Sequence, residues 1–374
     1  MVTFWGGSSN SGISGDKTQS NRDASLVSAD YWIVKTDSAG NKQWDKRFGT
    51  INDEACVNVI QTPDGGYLAG GSTAWADTSG DKTQFSYGPT TKNFWVVKTD
   101  QLGNKQWDKV YGGISGELFG NSLVASDGNY LLAGTTTDSI SGDKMTPYCG
   151  YWVIKVDTNG NRLDDWAYGT GINCGQDFYH MSKTKDGGYL LTGVSGPVAG
   201  RDKTQNNLGQ GNVWTIHIDS LMNRVWDRTV LTTGSDNAAG AVETNKGCCI
   251  IGVMTLAGVG GDKTQAALGA DDYWVVQYCD SFALGIQDPQ GSMHLIVYPN
   301  PTSGDLYINI KKDNLREASF SLTSTTGQLI YQNISDHLSH SYTKMLDISS
   351  LPAGVYFLSV TVDGEKITKQ IIKE

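Results

Sequence analysis

The sequence predicts an all-β protein: a five-bladed β-propeller, truncated at its N-terminus, followed by a small Ig-like β-sandwich. A strand-like segment centred on Trp recurs at intervals of 57 to 63 residues, and after Asp280 it stops. The segment centres are Trp32, Trp95, Trp152, Trp214 and Trp274. The 46 Gly and only 8 Pro, with 17 Tyr and 11 Trp, fit many short strands joined by tight turns. Repeats of this length that cannot bury their own apolar faces indicate a radial or stacked array.

Each repeat is predicted to hold four strands, and the second repeat shows them in order. Its predicted strands are residues 56–61, 67–71, 94–98 and 106–110. Asp64-Gly65-Gly66 joins the first two, because Asp-Gly and Gly-Gly supply the positive φ angles that hairpin turns require. Four antiparallel strands make a propeller blade. The order resembles the kelch type of blade, in which Gly-Gly ends the second strand and a Trp marks the fourth.

The strand count is incomplete at both ends of the repeats. Third strands and Gly-Gly strands occur five times if Thr3 to Ser8 is included, whereas first and fourth strands occur four times. We therefore expect three full blades, an opening blade without its first strand, and a closing blade, from about Ala238 to Tyr278, without its fourth. We interpret the chain as a truncated product that lacks both strands and a signal peptide. The alternative is a chain that starts at Met1 and leaves the ring open.

Nine of the eleven Trp occupy repeated positions, and we predict that they pack between blades. Five are the third-strand residues given above, and four are assigned to fourth strands: Trp44, Trp107, Trp166 and Trp226. Trp75 breaks the pattern. It lies in the longest inter-strand loop, near Phe85 and Tyr87, where it either stacks on a sugar ring or pins the loop.

An Asp-Lys pair recurs in the loop between the second and third strands. The five pairs are Asp16-Lys17, Asp81-Lys82, Asp143-Lys144, Asp202-Lys203 and Asp262-Lys263. Loops joining fourth to first strands emerge on the same face and carry Asp53, Glu117, Asp177 and Asp236. Such a ring of carboxylates and Lys could bind Ca²⁺ through oxygen ligands or hydrogen-bond a glycan. The structural alternative, which we favour for a motif copied in every blade, pairs each Lys with a carboxylate of the next loop and uses Asp or Thr as turn caps.

Motifs for catalysis or cofactor binding are absent from the sequence. The five His show no metal-ligand spacing, and Gly-x-Ser-x-Gly, P-loop and nucleotide-binding patterns do not occur. We therefore predict a protein that is not an enzyme and has no cofactor. The alternative is a glycan-active enzyme using Asp53, Glu117, Asp177 and Asp236, because in some propellers the acid and base come from different blades. The dispersed net charge of −10 argues against nucleic acid, and no apolar run is long enough to predict a membrane span.

The six cysteines allow two disulfides. Cys149 and Cys174 fall on loops of the same face and could meet, and Cys248 or Cys249 lies on a strand antiparallel to the one that Cys279 ends. Neither pair repeats in other blades. Buried free thiols are the alternative.

A second module is predicted at residues 294–374, after a linker at residues 281–293. Apolar residues alternate between Gly, Pro and Asp turns, which predicts a β-sandwich of about seven strands. Its motif residues are Tyr298-Pro299-Asn300-Pro301 with Gly304, then Pro352, Gly354 and Tyr356, and a basic tail that includes Lys373. Together these motifs closely resemble the type A C-terminal sorting domain of the type IX secretion system of Bacteroidetes, from one end of the module to the other.

That resemblance implies a secretion route. An N-terminal signal directs export across the inner membrane, the folded protein passes the outer membrane, and the system's sortase removes the sorting domain near the linker. We expect a monomer, released or attached at the outer-membrane surface, whose propeller (residues 1–280) binds a polysaccharide or a surface protein; a structural spacer is a further alternative. The propeller half also resembles Gly-Gly-Tyr and Asp-Gly-Asn-x-x-Trp repeat proteins of bacterial and archaeal surfaces.

Overall fold

The computed structural model describes residues 3–75, 77–89, 91–171, 174–279, 293–312, 317–335, 341–362 and 365–374. These residues form 25 β-strands and no helix, so none of them belongs to a helix that could cross a bilayer. The chain divides into two compact units. The first comprises Met1–Ile216, Ser220–Met222 and Asp227–Tyr278, and the second comprises His217–Asp219, Asn223–Trp226 and Cys279–Glu374. The predicted linker, residues 281–293, lies outside the described residues except at its last position.

The first eighteen strands form five antiparallel sheets, numbered 1 to 5 in chain order. They are β1 (Thr3–Ser9), β2 (Asp30–Thr36) and β3 (Lys42–Phe48) in sheet 1; β4 (Glu54–Gln61), β5 (Tyr67–Thr73), β6 (Asn93–Thr99) and β7 (Lys105–Tyr111) in sheet 2; β8 (Glu117–Val124), β9 (Tyr130–Thr136), β10 (Gly150–Val156) and β11 (Arg162–Tyr168) in sheet 3; β12 (Gln176–Lys183), β13 (Tyr189–Ser195), β14 (Asn212–Ile218) and β15 (Arg224–Val230) in sheet 4; and β16 (Asp236–Glu243), β17 (Cys249–Thr255) and β18 (Asp272–Tyr278) in sheet 5. The strands of the second repeat lie where the sequence predicts them, and each extends one or two residues beyond its predicted segment at one or both ends.

Consecutive sheets pack against each other through the first strand of the later sheet. Strand β4 packs on β1, β8 on β5, β12 on β9, and β16 on β13. An aromatic ring on the third strand of one sheet meets the Trp on the third strand of the next. The ring centroids are 4.8 Å apart for Tyr31 and Trp95, 5.1 Å for Phe94 and Trp152, and 5.0 Å for Tyr151 and Trp214. Trp95, Trp152 and Trp214 therefore fill the gaps between consecutive sheets, as predicted.

The assignment of Trp166 to the repeated fourth-strand position is wrong. In β11, Asp164 stands opposite Lys155, which is the place that Trp107 takes opposite Lys98 in β7. Trp166 lies two residues further along the strand. A shift of two keeps its side chain on the same face of the strand, so the sequence spacing alone did not reveal the difference.

The second unit contains the last seven strands, in two sheets of order β19-β20-β23 and β22-β21-β24-β25. The strands are β19 (Met293–Tyr298), β20 (Asp305–Lys312), β21 (Ala318–Ser324), β22 (Leu329–Ser335), β23 (Ser341–Asp347), β24 (Gly354–Val362) and β25 (Glu365–Lys373). Inward-facing apolar residues of both sheets, among them Leu306, Ile308, Phe320 and Leu358, form one fully buried core. Seven strands in two sheets agree with the predicted sandwich.

Candidate functional site

A groove of about 670 Å³ lies between sheets 2 and 3. Its polar and aromatic lining includes Asp64, Trp107, Asp127, Asn129, Tyr130 and Asn159. These residues come from β7, from the start of β9, and from the turns that follow β4, β8 and β10. The Asp-Lys loops connect second to third strands, so the groove lies at the opposite ends of the strands from them.

Short turns fix the polar side chains of the groove. Asp64 accepts hydrogen bonds from the Thr62 hydroxyl at 2.5 Å and from the Gly66 N–H at 3.1 Å. Asp127 accepts from the backbone and side-chain amides of Asn129 at 3.2 and 3.0 Å. In many tight turns an Asp side chain accepts hydrogen bonds from the residues that follow it. The repeated turns therefore hold the two carboxylates in place.

Each groove carboxylate is paired with a Lys. The Asp64 carboxylate is 2.7 Å from the buried Lys98 ammonium, and that of Asp127 is 2.6 Å from Lys155. Burial acts to raise the pKa of Asp64, but the hydrogen bonds from Lys98, Thr62 and Gly66 outweigh it and lower that pKa. The hydrogen bond from Lys155 is the main reason why the pKa of Asp127 is lowered. Both groups are therefore charged, hydrogen-bond-accepting carboxylates near neutral pH.

Trp107 gives the groove an aromatic wall. Its indole N–H donates to the Thr158 carbonyl oxygen at 3.1 Å across the groove, and its side chain is partly exposed. Tyr130, next to it in the lining, is buried. An aromatic face flanked by carboxylate and amide groups can stack on the C–H face of a sugar while accepting and donating hydrogen bonds to its hydroxyls.

The three aromatic residues expected to form a site lie in the loop between β5 and β6, away from this groove. Trp75 and Phe85 are exposed, and the Trp75 carbonyl accepts a hydrogen bond from the Lys82 ammonium at 2.8 Å. Tyr87 reaches the next loop, where its hydroxyl bonds to the Asp143 carboxylate. That contact makes Tyr87 a link between two loops, although Tyr87 is exposed, as are Trp75 and Phe85.

The four carboxylates expected in a ring do not occupy equivalent positions. Glu117 and Asp236 are the first residues of β8 and β16 and are buried, whereas Asp53 and Asp177 are exposed. Glu117 accepts hydrogen bonds from Gly113 N–H at 2.9 Å and from the Asn93 amide at 2.7 Å, and Asp236 accepts from Asn212 and Thr232. Asp53 accepts from the Ala29 N–H at 2.8 Å.

Burial raises the pKa of both Glu117 and Asp236, against the effect of their hydrogen bonds. Glu54, the first residue of β4, has its pKa raised to about 7 for the same reason. These buried carboxyls hold the loops that enter the first strands. Among the described residues, no group of three or more His, Cys, Asp or Glu is arranged to hold a metal ion.

The five Lys of the Asp-Lys loops are buried and bind their own loops, so the expected pairing of each Lys with a carboxylate of the next loop is wrong. Their ammonium groups donate to loop carbonyl or side-chain oxygens. The acceptors include Ser11 O for Lys17 at 2.6 Å, Trp75 O for Lys82 at 2.8 Å, the Thr146 hydroxyl for Lys144 at 2.8 Å, Asn207 Oδ1 for Lys203 at 2.6 Å, and Ala257 O for Lys263 at 2.7 Å. Burial lowers the pKa of Lys144 and of Lys203 to about 8.

The Asp of each loop from sheet 2 onward binds the preceding sheet. Its carboxylate accepts a hydrogen bond from the N–H of the residue that follows the fourth strand of that sheet. The backbone N–H of the Asp donates in turn to the carbonyl oxygen of that following residue. The N–H to carbonyl distances are 2.9 Å for Asp81 and Gly49, 2.8 Å for Asp143 and Gly112, 3.1 Å for Asp202 and Gly169, and 2.7 Å for Asp262 and Leu231. The Asp residues therefore join consecutive sheets, which is a structural role, although by a different contact from the one expected.

Four cysteines are in disulfides and two are free. Cys149, in the loop before β10, and Cys174, in the loop between β11 and β12, form a disulfide, as the sequence allowed. Cys248 and Cys279 are also disulfide-bonded. Cys56 and Cys249 are buried free thiols, and burial raises the pKa of each to about 12, so both are unreactive near neutral pH.

The motif residues at the start of the second module bind its last strand. The Asn300 amide donates to Gln370 O at 2.7 Å, and its carbonyl oxygen accepts from the Ile372 N–H at 2.8 Å. Thr302 pairs with Lys373, which is buried. The peptide bonds before Pro299 and Pro301 are cis.

The second motif of this module, at residues 352–356, forms a short turn that leads into β24. The Tyr356 hydroxyl donates to Pro352 O at 2.8 Å, and Gly354 begins β24. Gly304 accepts a hydrogen bond from Ile348 N–H at 3.1 Å. The motifs at the two ends of the module therefore belong to one structural unit.

The groove does not follow from the sequence pattern, although each of its residues belongs to a recognisable strand or turn. Trp107 was assigned to structural packing because it recurs, and Asp64 and Asp127 belong to repeated hairpin turns. The turns of β4 and β8 are more than 60 residues apart, so their proximity depends on how sheets 2 and 3 pack. A useful signal would have been the differences between copies: Trp107 is replaced by Asp164 in the next repeat.

The comparisons with known proteins cover the two units unequally. Residues 296–374, about a fifth of the chain, match the family described as the secretion system C-terminal sorting domain. A search of curated proteins found no match. Solved structures similar to the whole chain include a xylan beta-1,4-xylosidase from Bacillus Halodurans C-125, with 10% identity and a TM-score of 0.32 over 98% of this chain and 90% of that one.

Another is a glycoside hydrolase family 32 structure from Bifidobacterium adolescentis, with 7% identity and a TM-score of 0.29 over 93% of this chain and 71% of that one. Likenesses at such TM-scores carry no argument about fold or activity. The family match stands independently of them. Residues 296–374 thus carry a secretion-system C-terminal sorting domain, which implies handling by the type IX system and a cell-surface or extracellular location.

Proposed function

We propose that this protein is a secreted or surface-bound binding protein whose first unit is a five-bladed β-propeller that binds a polysaccharide. The groove at Trp107 carries the proposal. It combines a partly exposed indole with Asp64, Asp127, Asn129 and a volume of about 670 Å³, room for several sugar hydroxyls and one stacked ring. The sorting domain supports a location in which extracellular glycans are available.

The blade interpretation is supported by the repeated sheets. Five sheets follow one another with the same strand order, and each later sheet lays its first strand on the preceding sheet. Radial repetition of four-stranded antiparallel sheets is the architecture of propellers.

Two alternatives differ from this proposal in chemistry. A glycan-active enzyme needs a carboxylic acid with a raised pKa beside an ionised carboxylate. The pKa values of Asp64 and Asp127 are both lowered, which supports binding rather than hydrolysis at this groove. A surface-protein adhesin or spacer would leave the groove without a glycan ligand.

A glycan array probed with the full chain, with and without EDTA, tests the proposal. We expect saturable binding to one polysaccharide class that is unaffected by EDTA and at least about fivefold weaker in Trp107→Ala, because a central aromatic contact contributes more than about 1 kcal/mol. Trp75→Ala serves as the comparison, since its exposed ring lies at the opposite ends of the strands. Release of reducing sugar from the bound glycan would favour the enzyme, and a folded protein that binds no glycan would favour the adhesin or spacer.

A further inference from the structure

The charges of the groove at Trp107 are balanced, because each of its two carboxylates has a Lys partner. The Asp64 carboxylate lies 2.7 Å from the Lys98 ammonium. The Asp127 carboxylate lies 2.6 Å from the Lys155 ammonium. The Asp64 and Asp127 side chains are 52% and 45% exposed, whereas Lys98 is almost completely buried. A ligand in the groove therefore meets carboxylate oxygens, and most of the balancing positive charge lies behind them.

The buried Lys98 ammonium is fully occupied within the protein. Its three N–H donors bind the Asp64 carboxylate at 2.7 Å, the Thr99 carbonyl oxygen at 2.9 Å and the Gln106 side-chain oxygen at 2.9 Å. An ammonium group has no fourth donor to offer a ligand. Among the described residues that line the groove, none is Lys, Arg or His. An anionic ligand would therefore lose hydration without gaining a cation, and it would lie beside two carboxylates.

The polar groups that remain in the groove suit sugar hydroxyls. A carboxylate has about four acceptor positions. The contacts of the described residues use three on Asp64 and three on Asp127, so each keeps one for a hydroxyl donor. Gln106 is exposed, and its amide is oriented because its oxygen accepts from Lys98. Its amide N–H groups make no hydrogen bond among the described residues, and they can donate to a sugar oxygen.

Trp107 offers its ring rather than its N–H, because that N–H already donates to the Thr158 carbonyl oxygen at 3.1 Å. The negative face of an aromatic ring attracts C–H groups, which carry a partial positive charge. A pyranose whose hydroxyls are all equatorial presents axial C–H bonds to such a face. An axial hydroxyl would instead point at the indole and lose its hydration there.

We propose that the ligand of the groove is an uncharged polysaccharide of pyranose units with equatorial hydroxyls, as in β-linked glucose or xylose chains. This inference rests on the proposed binding function and adds the class of ligand to it. Acidic chains bind poorly because of the two carboxylates. A chain of amino sugars gains nothing from its charge, since both carboxylates already have a Lys partner. The affinity is also nearly independent of ionic strength, because salt screens interactions between charges.

Isothermal titration calorimetry with the full chain and a matched set of hexasaccharides tests the inference. Cellohexaose is the uncharged equatorial probe. Its form oxidised to glucuronic acid and the glucosamine hexamer keep the same linkage and ring configuration but carry negative and positive charge. β-Linked mannohexaose is uncharged, has the same linkage, and carries one axial hydroxyl on each ring.

We expect saturable binding of cellohexaose, with a Kd that changes by less than about twofold between about 0.05 and 0.5 M NaCl. The glucuronic form should bind at least about tenfold more weakly, because like charges meet in the groove. Mannohexaose should bind at least about fivefold more weakly, because its axial hydroxyl is desolvated against the indole. The glucosamine hexamer should bind no more tightly than cellohexaose.

Gln106→Glu changes the outward-facing group while keeping the oxygen that Lys98 binds. It should weaken cellohexaose by about fivefold, because one hydrogen-bond donor is lost. It should also raise the affinity for the glucosamine hexamer relative to cellohexaose, since the groove then holds a negative charge without its own Lys partner. Gln43→Glu is the matched control, at the equivalent exposed position of β3 and outside the groove lining. It should leave both affinities unchanged.

The variant Trp107→Ala separates failure of this inference from failure of the proposed function. If the glucuronic form or mannohexaose binds at least as tightly as cellohexaose and loses affinity in Trp107→Ala, the ligand class is wrong and the binding function stands. A Kd for cellohexaose that rises tenfold at the higher salt also overturns the class. If a folded chain binds none of the hexasaccharides and its array binding is unchanged in Trp107→Ala, the proposed function at the groove fails, and this inference fails with it.

Discussion

The indole N–H of Trp95 donates to the Asp108 carboxylate at 3.1 Å, between paired strands β6 and β7. The same carboxylate accepts from the N–H and hydroxyl of Thr83, at 2.9 and 3.0 Å, and is almost fully buried. One side chain therefore ties the third strand, the fourth strand and the long loop of sheet 2 together. Because the arrangement recurs in sheets 1, 3 and 4, the repeated sequence motif preserves a hydrogen-bond network rather than a ligand site.

Replacing Asp108 with Ala should destabilise the protein by about 2 to 4 kcal/mol, because it leaves the buried Trp95 indole N–H and both Thr83 donors without their acceptor. Urea unfolding followed by tryptophan fluorescence measures the loss. Asp271→Ala, at an exposed position, should change the free energy of unfolding by less than about 0.5 kcal/mol. Equal stability of the two variants would contradict the structural role of the network.

Glu54 should make stability depend on pH. Burial raises its pKa in the folded protein from 4.5 to about 7, so the folded state holds a proton that the unfolded state has released. The free energy of unfolding therefore falls as pH rises from the lower to the higher of these values, and Glu54 accounts for up to ~3 kcal/mol of the fall. Glu54→Gln should remove that part of the pH dependence.

Gln is a suitable replacement for Glu54, because Gln176 already occupies the equivalent first position of β12 and is buried there. Urea unfolding of both proteins at pH 5 and pH 8 measures the difference. The variant should gain stability relative to the unmodified protein at pH 8 and not at pH 5. A constant difference at the two pH values would show that the Glu54 carboxyl titrates normally.

The groove should depend on Asp127 as well as on Trp107. Asp127→Asn keeps the shape of the turn, but it removes the charge that pairs with Lys155 and accepts from Asn129. If sugar hydroxyls bind this carboxylate, the variant should bind the selected glycan at least about tenfold more weakly, as expected for a hydrogen bond to a charged group. Isothermal titration calorimetry measures the affinity for the glycan. Asp53→Asn, at the opposite ends of the strands, is the control. An equal loss of affinity in the two variants would argue against a site at the groove.

Asn300 should control the order of the last strand. Asn300→Ala removes two hydrogen bonds to β25, at 2.7 and 2.8 Å, and should speed amide hydrogen exchange near Ile372 by up to about thirtyfold, since each bond contributes about 1 kcal/mol. Exchange in β21 should stay unchanged. Gln332→Ala, exposed on β22, is the control. Unaltered exchange at Ile372 would show that the Tyr-Pro-Asn-Pro run does not anchor the tail.

Individual residues show how far the sequence could be read. The intervals between Trp residues placed the strands well, because a strand must return its large ring to the same gap between sheets each time. The same regularity misled the assignment of Trp166, since two residues of shift leave a strand face unchanged. The regular repeat also led to the prediction that Lys82 pairs with a carboxylate of the next loop, whereas its ammonium group donates a hydrogen bond to Trp75 O in its own loop.

The sequence by itself determined the local structure and the sorting module, because alternation, tight-turn residues and contiguous motifs depend on neighbouring positions. Only the tertiary structure decided where a groove forms. The groove joins Asp64 and Trp107 of sheet 2 to Asp127 and Asn159 of sheet 3, and that meeting depends on the packing of one sheet on the next. The tertiary structure also decided which groups are charged. Burial raises the pKa of Glu54, whereas the neighbouring Lys98 lowers the pKa of Asp64.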